Sequence, residues 1–330
     1  MAYYNRELLR LLPRVLRARD FHLYLENGKR LTDLWLAGGR AVLGHKPPKV
    51  LGELKNAAER GLFTPFPHPM ERRFVKALTQ FFPRRTFRLY ADPCSLYRAL
   101  VDTGFAEPGI ASPADTPFFD PAFFPPEPQG LQGGRDTNPR KADRRDAKIS
   151  LWRPFLDTAP VKSSDSQSYG ISYTTAPILI PILPWPLGPS VLVLDESLDT
   201  SFPPGELISP VLLAPATRAL YDLAAAIKAK DPNRGSKQYQ KIEKALNQTN
   251  SGRANSGGQK HSEFLWQRRG IYLTIEPDIA GEKAGEKYET LFRNFLEGGF
   301  LIPPSVNEPL ILPGIMSKGE ESKLAELISL

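Results

Sequence analysis

Ser190-Val191-Leu192-Val193-Leu194 is a short aliphatic and β-branched run that stops on two adjacent carboxylates, Asp195 and Glu196. A run of this kind reads as a buried strand of a parallel sheet, and ligands of open α/β sheets sit just beyond the carboxyl ends of such strands. Asp195 is therefore a candidate ligand-facing acid, weighed against a turn acid that merely ends the strand. Glu196 points to the opposite side of the strand, so the two are not a glycosidase pair. Cys94, the sole cysteine, stands near a helix start without a recognisable base and reads as a packed residue. The four histidines, His22, His45, His68 and His261, show no paired ligand spacing, and no metal site is expected. His45 reads as a packed or capping side chain, because no acid or nucleophile accompanies it. The chain holds no G-x-S-x-G elbow, P-loop or G-x-G-x-x-G, so hydrolase, nucleotide and dinucleotide readings lack their motifs.

The elements that would carry these groups follow from periodicity. Residues 6–19 predict a helix bent at Pro13, and residues 21–36 a hairpin turning at Asn27-Gly28. Helices are expected over 50–62, 71–82 and 95–103, with a strand at 87–91. Strands follow at 171–172, 178–183 and 191–194, then a long helix over 211–230 opened by Pro210 and a shorter one over 237–246. Residues 247–260, rich in Ser, Asn and Gly, predict a flexible connector. A strand at 271–275, a helix at 288–297 and a strand at 310–312 precede a last helix, where Ser317 and Glu320 form a capping-box pattern.

Composition bounds the function classes. The 33 prolines in 330 residues are about twice the usual share of roughly 5%. Many fall between 106 and 148, interleaved with Phe118, Phe119, Phe123 and Phe124, where an irregular segment docked on the body is expected. Of the net charge of +7, residues 1–100 carry +11 and the remainder −4. The basic residues are dispersed and no nucleic-acid motif is present, so specific nucleic-acid binding is not expected, while an anionic partner of the first third stays open. The stretch 173–194 has the length of a membrane span but contains five prolines, which excludes it as one. The amphipathic start is not a signal peptide, and a soluble cytoplasmic protein is expected.

Gly28-Lys29-Arg30-Leu31-Thr32-Asp33-Leu34-Trp35-Leu36-Ala37-Gly38-Gly39, followed by Val42-Leu43-Gly44-His45-Lys46-Pro47-Pro48-Lys49-Val50, resembles the N-terminal region of class III pyridoxal-phosphate aminotransferases. Arg269-Gly270-Ile271-Tyr272-Leu273, Leu291-Phe292-Arg293, Gly298-Gly299-Phe300-Leu301-Ile302-Pro303-Pro304-Ser305 and Glu308-Pro309-Leu310-Ile311-Leu312-Pro313 resemble the closing segments of that family. The resemblance implies an α/β fold: a fold-type-I aminotransferase-like large domain with a mostly parallel sheet, and a small α+β domain formed from both chain ends. Residues 1–60 and 251–330 would make the small domain, and 61–250 the large one with its irregular insert at 106–148. Homodimerisation is implied as well.

The family holds pyridoxal phosphate by an Asp to the ring nitrogen, a Gly-Ser or Gly-Thr pair for the phosphate at a helix N-terminus, and a Schiff-base lysine. By the resemblance Asp195 takes the ring-nitrogen position, and Ser95 is the residual candidate for the phosphate. The helix start reads Asp92-Pro93-Cys94-Ser95, where Pro93 brings no N–H and Asp92 brings a repelling charge. Anchoring Pro210 on the family proline puts Thr217 where the lysine belongs, and a hydroxyl cannot form an imine. Lys228 and Lys230 read as solvated charges at a helix C-terminus. The expectation is a degenerate member without a catalytic residue and without bound coenzyme, serving as a binding or structural homologue with an unknown protein partner or small anionic ligand. The alternatives are an active pyridoxal-phosphate-dependent aminotransferase or aminomutase with a displaced lysine, and a binder of an anionic partner through Arg72, Arg73, Arg84 and Arg85.

Overall fold

The computed structural model describes residues 7–106, 120, 122, 149–156, 176–229, 239–255, 264–276 and 283–329. In chain order its strands are β1 (Val15–Arg19), β2 (His22–Leu25), β3 (Arg30–Asp33), β4 (Arg85–Tyr90), β5 (Ile149–Trp152), β6 (Ile178–Pro181), β7 (Ser190–Asp195), β8 (Leu265–Arg269), β9 (Tyr272–Glu276), β10 (Phe300–Leu301) and β11 (Leu310–Ile311). The chain divides into two compact units, Met1–Pro47 with Ala225–Leu330, and Pro48–Ala224. The division falls after Pro47 and after Ala224. The 106–148 insert, apart from Ala106, Asp120 and Ala122, the expected strand at 171–172, and Lys230 lie outside the described residues.

In the terminal unit the Asn27-Gly28 turn forms as the residues require, with Gly28 at φ 77°, a left-handed conformation open to glycine without a Cβ penalty. It pairs β2 with β3, and β1 adds to β2 antiparallel. The predicted helix over 6–19 is thus a correction: among the described residues of that span helix covers only 7–10, and β1 begins at Val15. Pro13 stops the helix, after which Leu16 and Ala18 alternate with Val15, Arg17 and Arg19 at a strand's period, and the Arg17 guanidinium lies 4.1 Å over the Tyr24 ring. β10 joins β3 in parallel, so the C-terminal half completes the N-terminal sheet. A second sheet runs β11-β9-β8. Trp266, Tyr272, Phe292, Phe295 and Phe300, all fully buried, fill this unit.

The capping box at the last helix (Lys318–Ser329) is reciprocal: Ser317 N donates to Glu320 Oε2 at 2.9 Å, and Glu320 N donates to Ser317 Oγ at 3.2 Å. Glu320 Oε1 also meets His22 Nε2 at 2.8 Å and accepts from Thr32 Oγ1 at 3.1 Å and Arg30 at 3.3 Å, tying this helix to the hairpin. Burial pushes the Glu320 carboxyl upward, but the Ser317, His22 and Thr32 hydrogen bonds outweigh it and hold the pKa down at about 2. The flexible connector predicted from 247 is helical as far as Asn255, because the Gln240–Asn255 helix continues through its Asn and Ser residues.

In the central unit the sheet order is β4-β7-β6-β5. β5 and β6 pair in parallel, whereas β7 runs antiparallel to both β6 and β4. Three of the four described strands therefore share one direction, and β7, whose Val191–Leu194 are wholly buried, runs against them. The expectation that β7 is a parallel strand is corrected here: burial on both faces explains its apolar run as well as parallel pairing does. One face packs Tyr90, Leu192 and Leu194 against Leu96 and Leu100 of the Pro93–Asp102 helix. Along the outer edge of β4, Glu206 N donates to Leu89 O at 2.7 Å. Gly205 permits this approach, since a Cβ there would lie 2.6 Å from Leu89 N.

Candidate functional site

The direction of β7 decides where the chemistry-bearing residues fall. β4, β5 and β6 end together at one edge of the sheet, and that edge carries Asp92, Arg153 and the β6–β7 turn. β7 ends at the opposite edge, where Asp195 faces Arg85 in register and Asp195 N donates to Pro177 O at 2.8 Å. Six residues of strand, about 17 Å at roughly 3.4 Å per residue, separate the Asp195 level from the end of β4 that leads to Ser95. The structure does not bring Asp195 and Ser95 together.

Asp195 caps the short 3-10 turn Glu196–Ser201, accepting from Ser197 N at 3.2 Å and Ser197 Oγ at 3.0 Å. The Ser197 N–H is the main cause that holds its carboxyl below the usual range, with the Ser197 hydroxyl next. Arg85 lies 3.9 Å away and donates to the Ala176 and Pro177 carbonyls. Arg85 is thus tied into the sheet, while Arg72, Arg73 and Arg84 are exposed.

At the other edge, the helix Pro93–Asp102 starts from Asp92, whose Oδ1 accepts from Cys94 N at 2.7 Å and Ser95 N at 2.9 Å. The Ser95 N–H is foremost among the groups that lower the Asp92 pKa, with Cys94 N–H, the Ser95 hydroxyl and Arg98 adding to it. The helix N-terminus therefore already holds an anion of its own. Ser95 Oγ is turned to Asp92 Oδ2 at 3.3 Å, and Cys94 is exposed. β5 is followed by Arg153, a residue that the sequence reading missed. Its guanidinium is buried and makes two hydrogen bonds of 2.9 Å and 2.6 Å to Asp120 Oδ2 and a further one of 2.9 Å to Oδ1. β6 is followed by Ile182-Leu183-Pro184-Trp185-Pro186-Leu187-Gly188-Pro189, which contains no lysine. Tyr90 Oη, Ser190 Oγ and Trp185 Nε1 are buried around this edge without a hydrogen-bond partner, and Tyr90 and Ser190 stand opposite each other in register. Burial raises the Tyr90 pKa first, opposed by Arg88 and reinforced by Glu206.

Thr217 lies inside the helix Pro210–Ala229, buried, with Oγ1 donating to Leu213 O at 2.7 Å. It occupies a helix interior and no strand end, so anchoring on Pro210 does not locate a catalytic turn. Lys228 is exposed near the end of the same helix, and Lys49, Lys55 and Lys76 are exposed on the helices Pro48–Glu59 and Pro69–Leu78. His68 Nδ1 accepts from Met70 N at 3.1 Å as a helix cap. The expectation that no acid accompanies His45 is corrected: its Nε2 lies 2.9 Å from Asp33 Oδ2, while Asp33 Oδ1 accepts from Trp35 N and Leu36 N. No group of three or more His, Cys, Asp or Glu able to hold a metal occurs among the described residues. Among the same residues no helix is long and apolar enough to cross a membrane.

These residues do not fit pyridoxal phosphate. The phosphate would meet the Asp92 carboxylate in place of free N–H groups, and Asp195, the ring-nitrogen candidate, lies at the opposite edge of the sheet from that helix start.

No family model matches the chain. A protein of Treponema pallidum (strain Nichols), described as "Uncharacterized protein", is 23% identical over 345 residues, which are 95% of this chain and 93% of that one. A glutamate-1-semialdehyde 2,1-aminomutase of Thermus thermophilus is 31% identical over 71 residues, 22% of this chain and 17% of the aminomutase. Among solved structures, the ornithine aminotransferase of Toxoplasma gondii ME49 aligns with a TM-score of 0.60 at 14% identity, covering 95% of this chain and 89% of that one. A transaminase with PLP bound aligns at 0.59 and 13% identity over 99% and 96% of the two chains. The class so defined is one of fold: a mixed α/β architecture of the fold-type-I aminotransferase kind.

Proposed function

We propose that this chain is an aminotransferase-fold protein that has lost pyridoxal-phosphate catalysis and serves as a binding or structural homologue. The observation that carries this reading is the self-capped helix start, where the Asp92 carboxylate takes the Cys94 and Ser95 N–H groups at 2.7 Å and 2.9 Å. A phosphate dianion needs those donors and is repelled by that carboxylate. The unpartnered hydroxyls of Tyr90 and Ser190 and the Trp185 indole favour a binding role over a purely structural one, since buried polar groups are ordinarily satisfied. Homodimerisation and a cytoplasmic location belong to the same proposal. Titrating the protein with pyridoxal phosphate and following the visible absorbance of a lysine imine tests it. No saturable band is expected; a band that saturates at one coenzyme per chain would replace this reading with that of an active enzyme with a displaced lysine.

A further inference from the structure

Four consecutive residues of the terminal unit, Leu36, Ala37, Gly38 and Gly39, have φ of 49°, 52°, 69° and 101°. Two glycines take such angles freely, but Leu36 and Ala37 pay about 1–2 kcal/mol each for a left-handed conformation. The surroundings hold the turn in place. Asp33 Oδ1 accepts from Trp35 N at 2.8 Å and Leu36 N at 2.9 Å, His45 fixes the other carboxylate oxygen, and Trp35 Nε1 donates to Glu308 Oε2 at 2.7 Å. Leu36 is fully buried, and Ala41 N closes the turn on Leu36 O at 2.9 Å. Strain that is over-determined in this way marks positions where the conformation itself is useful.

The turn delivers the chain to Arg40, which returns to the right-handed region at φ −69°. Its side chain is half-buried, and burial alone acts on its guanidinium, lowering the pKa, with no carboxylate opposing it. Five other half-buried or buried arginines set a contrast: Arg85 faces Asp195, Arg88 faces Asp199, Arg153 faces Asp120, Arg218 faces Asp222 and Arg268 faces Glu243. Among the described residues Arg40 has no carboxylate and no acceptor for its guanidinium. Glu308, the acid beside the turn, is engaged by the Trp35 indole. A guanidinium removed from water without a partner is costly, and its planar fork matches an oxyanion bidentately.

We propose that Arg40, presented by the strained turn Leu36–Gly39, anchors a binding site for a small oxyanion, a carboxylate or phosphate group. The proposal does not depend on the fate of the coenzyme. It is tested with the full chain by thermal unfolding at constant ionic strength, with succinate and inorganic phosphate as probes and chloride as the control. Wild type is expected to show a saturable rise in Tm with one or both probes; the one that acts identifies the carboxylate or the phosphate source. Arg40→Gln is expected to be at least as stable as wild type without a probe, since it removes an unpaired charge, and to lose the probe response. Arg40→Lys should weaken the response about tenfold or more in probe concentration, because the ammonium lacks the bidentate geometry. The proposal is overturned if neither probe gives a saturable shift, if Arg40→Gln responds as wild type does, or if Arg40→Gln unfolds markedly earlier without a probe.

Discussion

Asp92 is the residue on which the functional reading turns, and its role as a helix cap is measurable. Asp92→Ala should destabilise the protein by about 1 kcal/mol, read from denaturant unfolding at neutral pH. The sign with pH follows from its lowered pKa: the cap's contribution is complete above the unfolded value of about 3.9 and disappears as pH falls through the folded value. The difference between Asp92→Ala and wild type should therefore shrink as pH falls and vanish once the folded carboxyl is protonated, and a difference that stayed constant through the acid range would contradict capping by the carboxylate. Tyr90 and Ser190 supply the opposite case. Each hydroxyl is buried and unpartnered, so Tyr90→Phe and Ser190→Ala should leave stability within about 1 kcal/mol of wild type or raise it. A loss of 2 kcal/mol or more in either variant would mean that the hydroxyl has a protein partner after all. At this scale much was legible in the sequence, and the limit was range. The Ser317–Glu320 box and the Asn27-Gly28 turn are local, so residue types three apart specify them. Arg153–Asp120 spans 33 residues and His45–Asp33 spans 12, and nothing in the types of those residues says that the fold will join them.

Elements show where periodicity succeeds and where it is blind. The helices near 48–59, 69–78, 93–102, 210–229 and 283–297 follow from apolar spacing and their prolines, because a helix of ten or more residues repeats its stripe enough times to be read. Residues 15–19 are too few for that: the same Val, Leu and Ala suit either period, and the open edge of β2 makes them a strand. The direction of β7 is another blind point, since an apolar run reports burial and says nothing of which way the strand runs. That reversal alone moves Asp195 to the edge opposite Asp92. Gly205 offers a direct check of how β4 is bordered, because a Cβ would stand 2.6 Å from Leu89 N and 2.7 Å from Leu89 O. Gly205→Ala should cost about 1–3 kcal/mol in thermal or denaturant unfolding; an unchanged midpoint would show that the Gly205–Glu206 segment does not lie against β4.

For the whole molecule, the fold is of the aminotransferase kind, and the proposed loss of coenzyme chemistry rests on the site residues alone. Both chain ends combine in one α/β unit and the central residues in another, and the architecture is shared with aminotransferases at 13–14% identity. The fold was legible because glycines and prolines of the end segments are needed for turns that the architecture cannot do without. The site was less so, because its identification rested on Asp195, and a one-dimensional run cannot show which edge of a sheet it will reach. The edge that does gather strand ends carries an anion-capped helix, the Arg153–Asp120 ion pair and a lysine-free turn, and the capping carboxylate repels a phosphate ester. The most direct test is to incubate the full chain with pyridoxal phosphate, reduce with borohydride, and map the adducts by peptide mass. The account predicts sparse, substoichiometric labelling spread over exposed lysines such as Lys49, Lys55, Lys76 and Lys228; one equivalent of adduct on a single lysine would contradict it.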